Sequence, residues 1–408
     1  MAEKSLKPQI RFAGFTEDWE QRKLGEVTDR VVRKNTNLES TLPLTISALY
    51  GLVDQSAYFN NRVASRDVSN YYLLKRGEFA YNKSYSEGFP FGAVKRLDRY
   101  NMGALSTLYI VFAPKSDIID SNYLVSYYDT NNWYKQVAER AAEGARNHGL
   151  LNISADDFFD TELKFPKNIA EQTQIGLFFK QLDNLITLHQ RKCDKLVNFK
   201  KAMLEKMFPK DGADVPEIRF AGFTGAWERR KLGEISDSYS GGTPSVENKE
   251  YYDGEIPFIR SAEINSDFTE LFISENGLNN SSAKLVNIGD ILYALYGATS
   301  GEVGRARLNG AINQAILAIR IKTNYDAEFV MQWLRKSKEK IVGTYLQGGQ
   351  GNLSGAIVKD LIISCPSYDE QTRIGVFFAS LDRIITLHQR ELEKLKNIKK
   401  AMLDKMFV

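Results

Sequence analysis

The sequence predicts a mixed α/β protein with a pseudo-twofold internal repeat: two strand-rich modules joined by two long helices that form an antiparallel coiled coil. Three observations carry this expectation. Segments at the edges of each half recur almost unchanged. Two long stretches hold apolar residues in steps of three and four. The remainder alternates short β-prone runs with turn signals.

The repeat comes first, because missing one misassigns the whole fold. Ile10-Arg11-Phe12-Ala13-Gly14-Phe15-Thr16 returns 208 residues later (10 to 218) as Ile218-Arg219-Phe220-Ala221-Gly222-Phe223-Thr224. Trp19 and Arg22-Lys23-Leu24-Gly25-Glu26 return as Trp227 and Arg230-Lys231-Leu232-Gly233-Glu234. Glu171-Gln172-Thr173 opens a second shared segment, which returns 199 residues later (171 to 370) as Glu370-Gln371-Thr372. Within it Thr187-Leu188-His189-Gln190-Arg191 matches Thr386-Leu387-His388-Gln389-Arg390, and Lys200-Lys201-Ala202-Met203-Leu204 matches Lys399-Lys400-Ala401-Met402-Leu403. The first module is nine residues longer between its shared ends (208 against 199). Inside those ends the halves diverge, as Tyr81-Asn82-Lys83-Ser84-Tyr85-Ser86 against Tyr293-Ala294-Leu295-Tyr296-Gly297-Ala298 shows. The frame is alike and the filling differs, which suits one architecture with two specificities. The expected divisions are 1–167 and 209–366 for the modules, with 168–208 and 367–408 for the helices.

Within the modules, Gly77-Glu78-Phe79-Ala80-Tyr81 and Gly289-Asp290-Ile291-Leu292-Tyr293 each resemble a turn entering a strand. Leu108 to Phe112 and Ala315 to Ile321 are further β-prone runs, and helical patterns follow at about 121–139 and 326–341. The helix after module one places Ile175, Leu182, His189, Leu196 and Met203 at one heptad position. Phe179, Ile186, Cys193, Lys200 and Met207 fall at the other. The helix after module two repeats this with Ile374, Phe378, Leu381, Ile385, His388, Leu392, Leu395, Lys399, Met402 and Met406. At ~1.5 Å per residue each rod is roughly 57 Å long. Each helix is the other's natural partner. Antiparallel pairing then sets the modules at opposite ends.

Composition excludes several function classes. The formal net charge is only +3, so any basic surface must come from local clustering. Cys193 and Cys365 stand far apart with no CxxC pair, as expected of reduced thiols in a cytoplasmic protein. No apolar run approaches ~18 residues, so no membrane-spanning helix is expected. Only three histidines occur, and two of them lie in the helix seam. His148 alone is too few for the usual zinc sets, so no metal site is expected. No phosphate-binding G-x-x-x-x-G-K-[ST] loop occurs. The Glu162-Leu163-Lys164 triplet matches part of a nuclease motif, but such triplets are common by chance. No catalytic residue is expected, and the chain resembles a binder.

Major-groove readout uses Arg or Lys to guanine and Asn or Gln to adenine. Module one offers Asn82, Lys83, Ser84, Tyr85 and Ser86 after a strand, and Arg146 and Asn147 in a glycine-flanked loop. Module two offers Arg260, Tyr296, Thr299, Ser300 and Arg305, then Gln347, Gln350 and Asn352 among glycines. Each is also an ordinary exposed loop residue, and their grouping is the stronger signal. Protein or sugar ligands on a non-catalytic two-module scaffold are the rival reading.

The chain resembles the DNA-specificity subunits of type I restriction–modification enzymes along essentially its whole length. Gly241-Gly242-Thr243-Pro244-Ser245, Tyr251-Tyr252-Asp253-Gly254-Glu255-Ile256-Pro257, Gly289-Asp290-Ile291-Leu292, Gly301-Glu302-Val303-Gly304 and Pro366 before Glu370-Gln371 carry the likeness in module two. Tyr85-Ser86, Leu105-Ser106 and Tyr109-Ile110-Val111-Phe112 carry it in module one. The resemblance implies two target-recognition domains, each reading half of a split site in double-stranded DNA, and spacer helices that act as a ruler. It implies docking of two methyltransferase (modification) subunits and of ATP-dependent restriction subunits. S-adenosylmethionine, ATP and Mg would then belong to those partners, with no cofactor bound by this chain.

Overall fold

The computed structural model describes residues 6–61, 63–141, 151–345 and 352–408. The chain divides into two compact units, Met1–Gln190 with Arg390–Val408, and Arg191–Gln389. Each unit is one module together with one end of each long helix.

In the first unit an antiparallel sheet runs in the order Thr28–Arg30, Ile110–Pro114, Phe79–Asn82, Ala93–Arg96. A second sheet runs Gly51–Asp54, Pro43–Ser47, Met102–Leu105, Tyr72–Lys75, and its central pair is parallel, with Pro43 opposite Ala104. Glu20–Lys23 pairs with Glu162–Phe165, so the Glu162-Leu163-Lys164 triplet is a strand of the frame. The second unit repeats this topology. Its sheets run Ser236–Ser240, Ile316–Ile321, Ile291–Ala294, Val303–Arg305 and Phe272–Ile273, Ile256–Ile259, Gly310–Ile312, Lys284–Val286. Phe258 opposite Ala311 is the matching parallel pair, and Glu228–Lys231 pairs with Ile362–Cys365. The fold class is the mixed α/β repeat expected from the sequence.

One helix departs from expectation. The pattern at 121–139 folds as two helices, Ser121–Tyr128 and Tyr134–Arg140, whereas its counterpart is a single helix, Ala327–Tyr345. The Thr130 hydroxyl donates to the Tyr127 carbonyl at 2.7 Å and accepts from the Asn132 N–H at 3.2 Å. Such local side-chain bonds compete with helical ones and end the first helix.

The long helices are Ile169–Met207 and Tyr368–Met406. Their first turns explain why the flanking motifs recur. The Arg11 guanidinium grips the fully buried Glu171 carboxylate through two bonds of 2.6 and 2.7 Å, and Arg219 grips Glu370 in the same way at 2.7 Å each. The Gln172 amide accepts from the Asp120 N–H at 2.7 Å and donates to the Ile118 and Pro166 carbonyls. Gln371 accepts from the Asp326 N–H at 3.0 Å and donates to the Pro366 carbonyl. Asp120 and Asp326 cap the helices that follow them. One turn on, Gly176 and Gly375 permit close packing. A Cβ on Gly176 would lie 2.5 Å from the Tyr123 nitrogen, and one on Gly375 would lie 2.6 Å from Asp326 Oδ1.

Within each unit the two long helices run antiparallel. In the first, Phe407 packs at a tilt against Phe179 while Lys399 reaches back to Asp183, and Ile10 N–H bonds the Lys405 carbonyl. In the second, Phe208 stacks on Phe378 while Lys200 reaches Asp382, and Ile218 N–H bonds the Lys206 carbonyl. Of the expected seam residues, Ile175, Phe179, Leu182, Ile374, Phe378, Leu381, Ile385 and Leu395 are buried. Ile186, His189, Leu196, Met203, His388 and Met402 are half-buried. Trp19 and Trp227 anchor the two cores against Phe407 and Phe208.

Candidate nucleic-acid interface

The structure places the divergent filling on equivalent hairpins. Tyr81 pairs with Val94 and Tyr293 with Val303, both tyrosines buried in their cores. The connecting loops are 83–92 and 295–302. Near its end each carries a glycine with positive φ, Gly92 at 80° and Gly301 at 78°. At Gly92 a Cβ would fall 2.0 Å from the Asn82 carbonyl oxygen, so only glycine fits there.

Asn82, Lys83, Ser84 and Ser86 are half-buried and Tyr85 is exposed. Asn82 Oδ1 accepts from the Ser84 N–H at 3.0 Å, and Lys83 Nζ donates to the Ile153 carbonyl at 3.2 Å. On the other hairpin the Ser300 hydroxyl donates within its own loop to the Gly297 carbonyl at 2.9 Å, and Thr299 is half-buried. Tyr296 is half-buried, and burial raises its phenol pKa against a hydrogen bond with Gln314. Arg146, Asn147, Gln347 and Gln350 lie outside the described residues, as does His148. The chain emerging from each of those stretches meets the hairpin. Leu151 N–H bonds the Lys83 carbonyl and Leu353 N–H bonds the Leu295 carbonyl, each at 3.0 Å. Asn352, exposed, sits beside the second of these junctions.

Two candidate arginines have their charge taken up within the module. Arg260 binds Glu263 at 2.5 Å and Glu270 at 3.2 Å. Arg305 donates to the Gly289 carbonyl and faces Glu328 at 3.6 Å, much as Arg96 on the equivalent strand bonds Ser121 and Asn122. Sequence reasoning missed Gln314, which is exposed and accepts from the Thr243 hydroxyl at 2.7 Å beside Tyr296. Its signal was the Asn313-Gln314 amide pair in the turn before a strand. Leu49 and Tyr50 are exposed at the tip between Pro43–Ser47 and Gly51–Asp54, on the other sheet of the module.

No group of three or more His, Cys, Asp or Glu suited to a metal occurs among the described residues. Among them, too, no helix is long and apolar enough to cross a membrane. Cys365 sits on a frame strand, and burial pushes its thiol up to about 12.

The model of the type I restriction modification DNA specificity domain matches the chain twice, over residues 16–198 and 225–397. The chain belongs to this family. Both matches run from the strand-rich module into the long helix that follows it. The protein designated MjaX specificity subunit of Methanocaldococcus jannaschii is 27% identical over 307 residues, which cover 69% of this chain and 65% of that protein, just under two thirds of its length. The type I restriction enzyme MjaVIII specificity subunit of the same organism is 22% identical over 318 residues, covering 74% of this chain and 73% of that one. The crystal structure of the type I restriction–modification S subunit from M. genitalium shares the fold, with a TM-score of 0.65 at 17% identity over 98% of this chain and 99% of that one.

Proposed function

We propose that this chain is the DNA-specificity subunit of a type I restriction–modification complex in the cytoplasm. Each module reads one half of a bipartite duplex target, and the long helices set the spacer between the halves. The observation that carries this reading is the pair of equivalent hairpin loops with unrelated residues, on a frame that the family model matches twice. Phosphate contacts position such a protein and base contacts specify the sequence. A good bidentate contact discriminates by about 1–3 kcal/mol. The chain supplies specificity without catalysis. Adenine methylation with S-adenosylmethionine belongs to modification subunits, and ATP- and Mg-dependent work to restriction subunits.

The helices offer two matched docking faces. Leu177, Leu185 and Leu188 are exposed on the first helix, and Val376, Ile384 and Leu387 are exposed at the matching places on the second. Exposed apolar stripes of this kind mark interaction sites. One stripe falls in each unit, which suits two modification subunits per chain. Leu188→Glu is expected to lower the count of bound modification subunits from two to one, read by native mass spectrometry. Loss of neither would remove the stripe from the docking account.

Methylome sequencing of cells carrying this chain with its partner subunits tests the whole reading. One bipartite motif is expected. Exchange of residues 1–167 for another family module is expected to change one half-site and leave the other. Methylation with no bipartite motif, or a change in both halves, would overturn it.

A further inference from the structure

The seam carries the same Lys–Asp pair twice, and the two modules engage it with opposite charges. In the first unit Lys399 Nζ bonds Asp183 at 2.7 Å and also Asp129 of the module at 2.7 Å. In the second unit Lys200 Nζ bonds Asp382 at 2.6 Å, and here the module supplies Arg335, which bonds Asp382 at 3.0 Å. Asp129 and Arg335 occupy the same place. Each lies nine residues after a capping aspartate (120 to 129, 326 to 335) whose N–H is held by the helix glutamine. One module therefore presents a carboxylate where the other presents a guanidinium, to an unchanged helix pair.

The surroundings follow the sign. Asp129 has a second cation, Lys95 at 3.3 Å, on the hairpin strand beside it. The strand register makes Gly304 the counterpart of Lys95, since Tyr81 faces Val94 and Tyr293 faces Val303. At Gly304 a Cβ would meet Asn265 Oδ1 at 2.4 Å, and Arg335 Nε donates instead to the Val303 carbonyl at 3.3 Å. Gln332 completes the Asp382 shell at 2.9 Å. The lysines are largely covered, at 18% exposure for Lys399 and 14% for Lys200, so neither is a freely solvated surface pair. A partly buried ion pair offers both signs at once: the ammonium accepts a further carboxylate, and the carboxylate accepts a further cation.

We propose that the Lys–Asp pair of the helix seam is a sign-neutral socket, into which a recognition module plugs through either an acid onto the lysine or a base onto the aspartate. The helices then need no change when one kind of module replaces the other. Compatibility is set by the charge at one docking position and its immediate neighbour.

A double-mutant cycle in the full chain tests this, read by urea denaturation. Asp382→Asn leaves Lys200 and Arg335 without their shared counter-ion and is expected to raise the unfolding equilibrium constant about tenfold. Adding Arg335→Asp is expected to recover most of that loss, because the introduced carboxylate takes Lys200 as Asp129 takes Lys399. Arg335→Leu, which only relieves repulsion, is expected to recover clearly less. Further addition of Lys200→Met to D382N/R335D is expected to cancel the recovery. The socket is refuted if R335D rescues D382N no better than R335L does, if the recovery persists without Lys200, or if D382N alone costs nothing.

Discussion

Arg11→Leu is expected to destabilise the first unit by about 3–5 kcal/mol, the cost of leaving a buried carboxylate without its partner. Glu171 is 1% exposed, and its counter-charge comes from Arg11, with Trp19 Nε1 adding a bond at 3.4 Å. Pairs on open surface contribute only about 0–1 kcal/mol, so the magnitude separates the two cases. The double variant R11L/E171L is expected to be more stable than R11L, because it removes the stranded charge along with the pair. Arg219→Leu, facing the equally buried Glu370, is expected to act in the same way on the second unit. Urea titration of the three variants checks this. A loss below about 1 kcal/mol for R11L would show that the clamp behaves as a surface pair.

Changing the length of the long helices is expected to move the two half-sites apart or together without altering either sequence. One heptad added to both helices, after His189 and after His388, keeps the seam in phase. Methylome mapping should then return the original half-sites with a new spacer. Two residues added to the first helix alone would turn its downstream part by about 200° and bury the wrong face, so modification should be lost. Unchanged spacing with altered half-sites would sink the ruler reading.

The repeat and the helices were legible in the sequence because their signals are local and periodic. The heptad positions of Ile175, Phe179, Leu182, Ile374, Phe378 and Leu381 coincide with the buried faces of the two long helices. Turn glycines before Phe79 and Ile291 gave the hairpin strands. The break at Asp129–Thr130 was not visible, because the periodic pattern runs through it and only the Thr130 side-chain bonds decide. The candidate residues were chosen in sequence as two groups per module. That Leu151 joins Lys83 and Leu353 joins Leu295 depends on backbone bonds between residues far apart in sequence. Arg260 and Arg305 read as available cations in sequence, whereas the local Glu263 and Glu270 take up the charge of Arg260 and the distant Glu328 faces Arg305. Lys200 and Lys399 stood out as polar residues in an apolar seam, but their partners came from three different segments.

The glutamines that open the long helices hold the modules by peptide groups. Gln172 touches the Asp120 N–H and the carbonyls of Ile118 and Pro166, and Gln371 touches the Asp326 N–H and the Pro366 carbonyl. Every amino acid supplies a carbonyl, and every one but proline supplies an N–H. Mutational drift across a module therefore leaves this attachment intact unless it places proline at 120 or 326. On the proposed function, a lineage would be free to accumulate substitutions in one half of its target preference while the inherited scaffold stays in service.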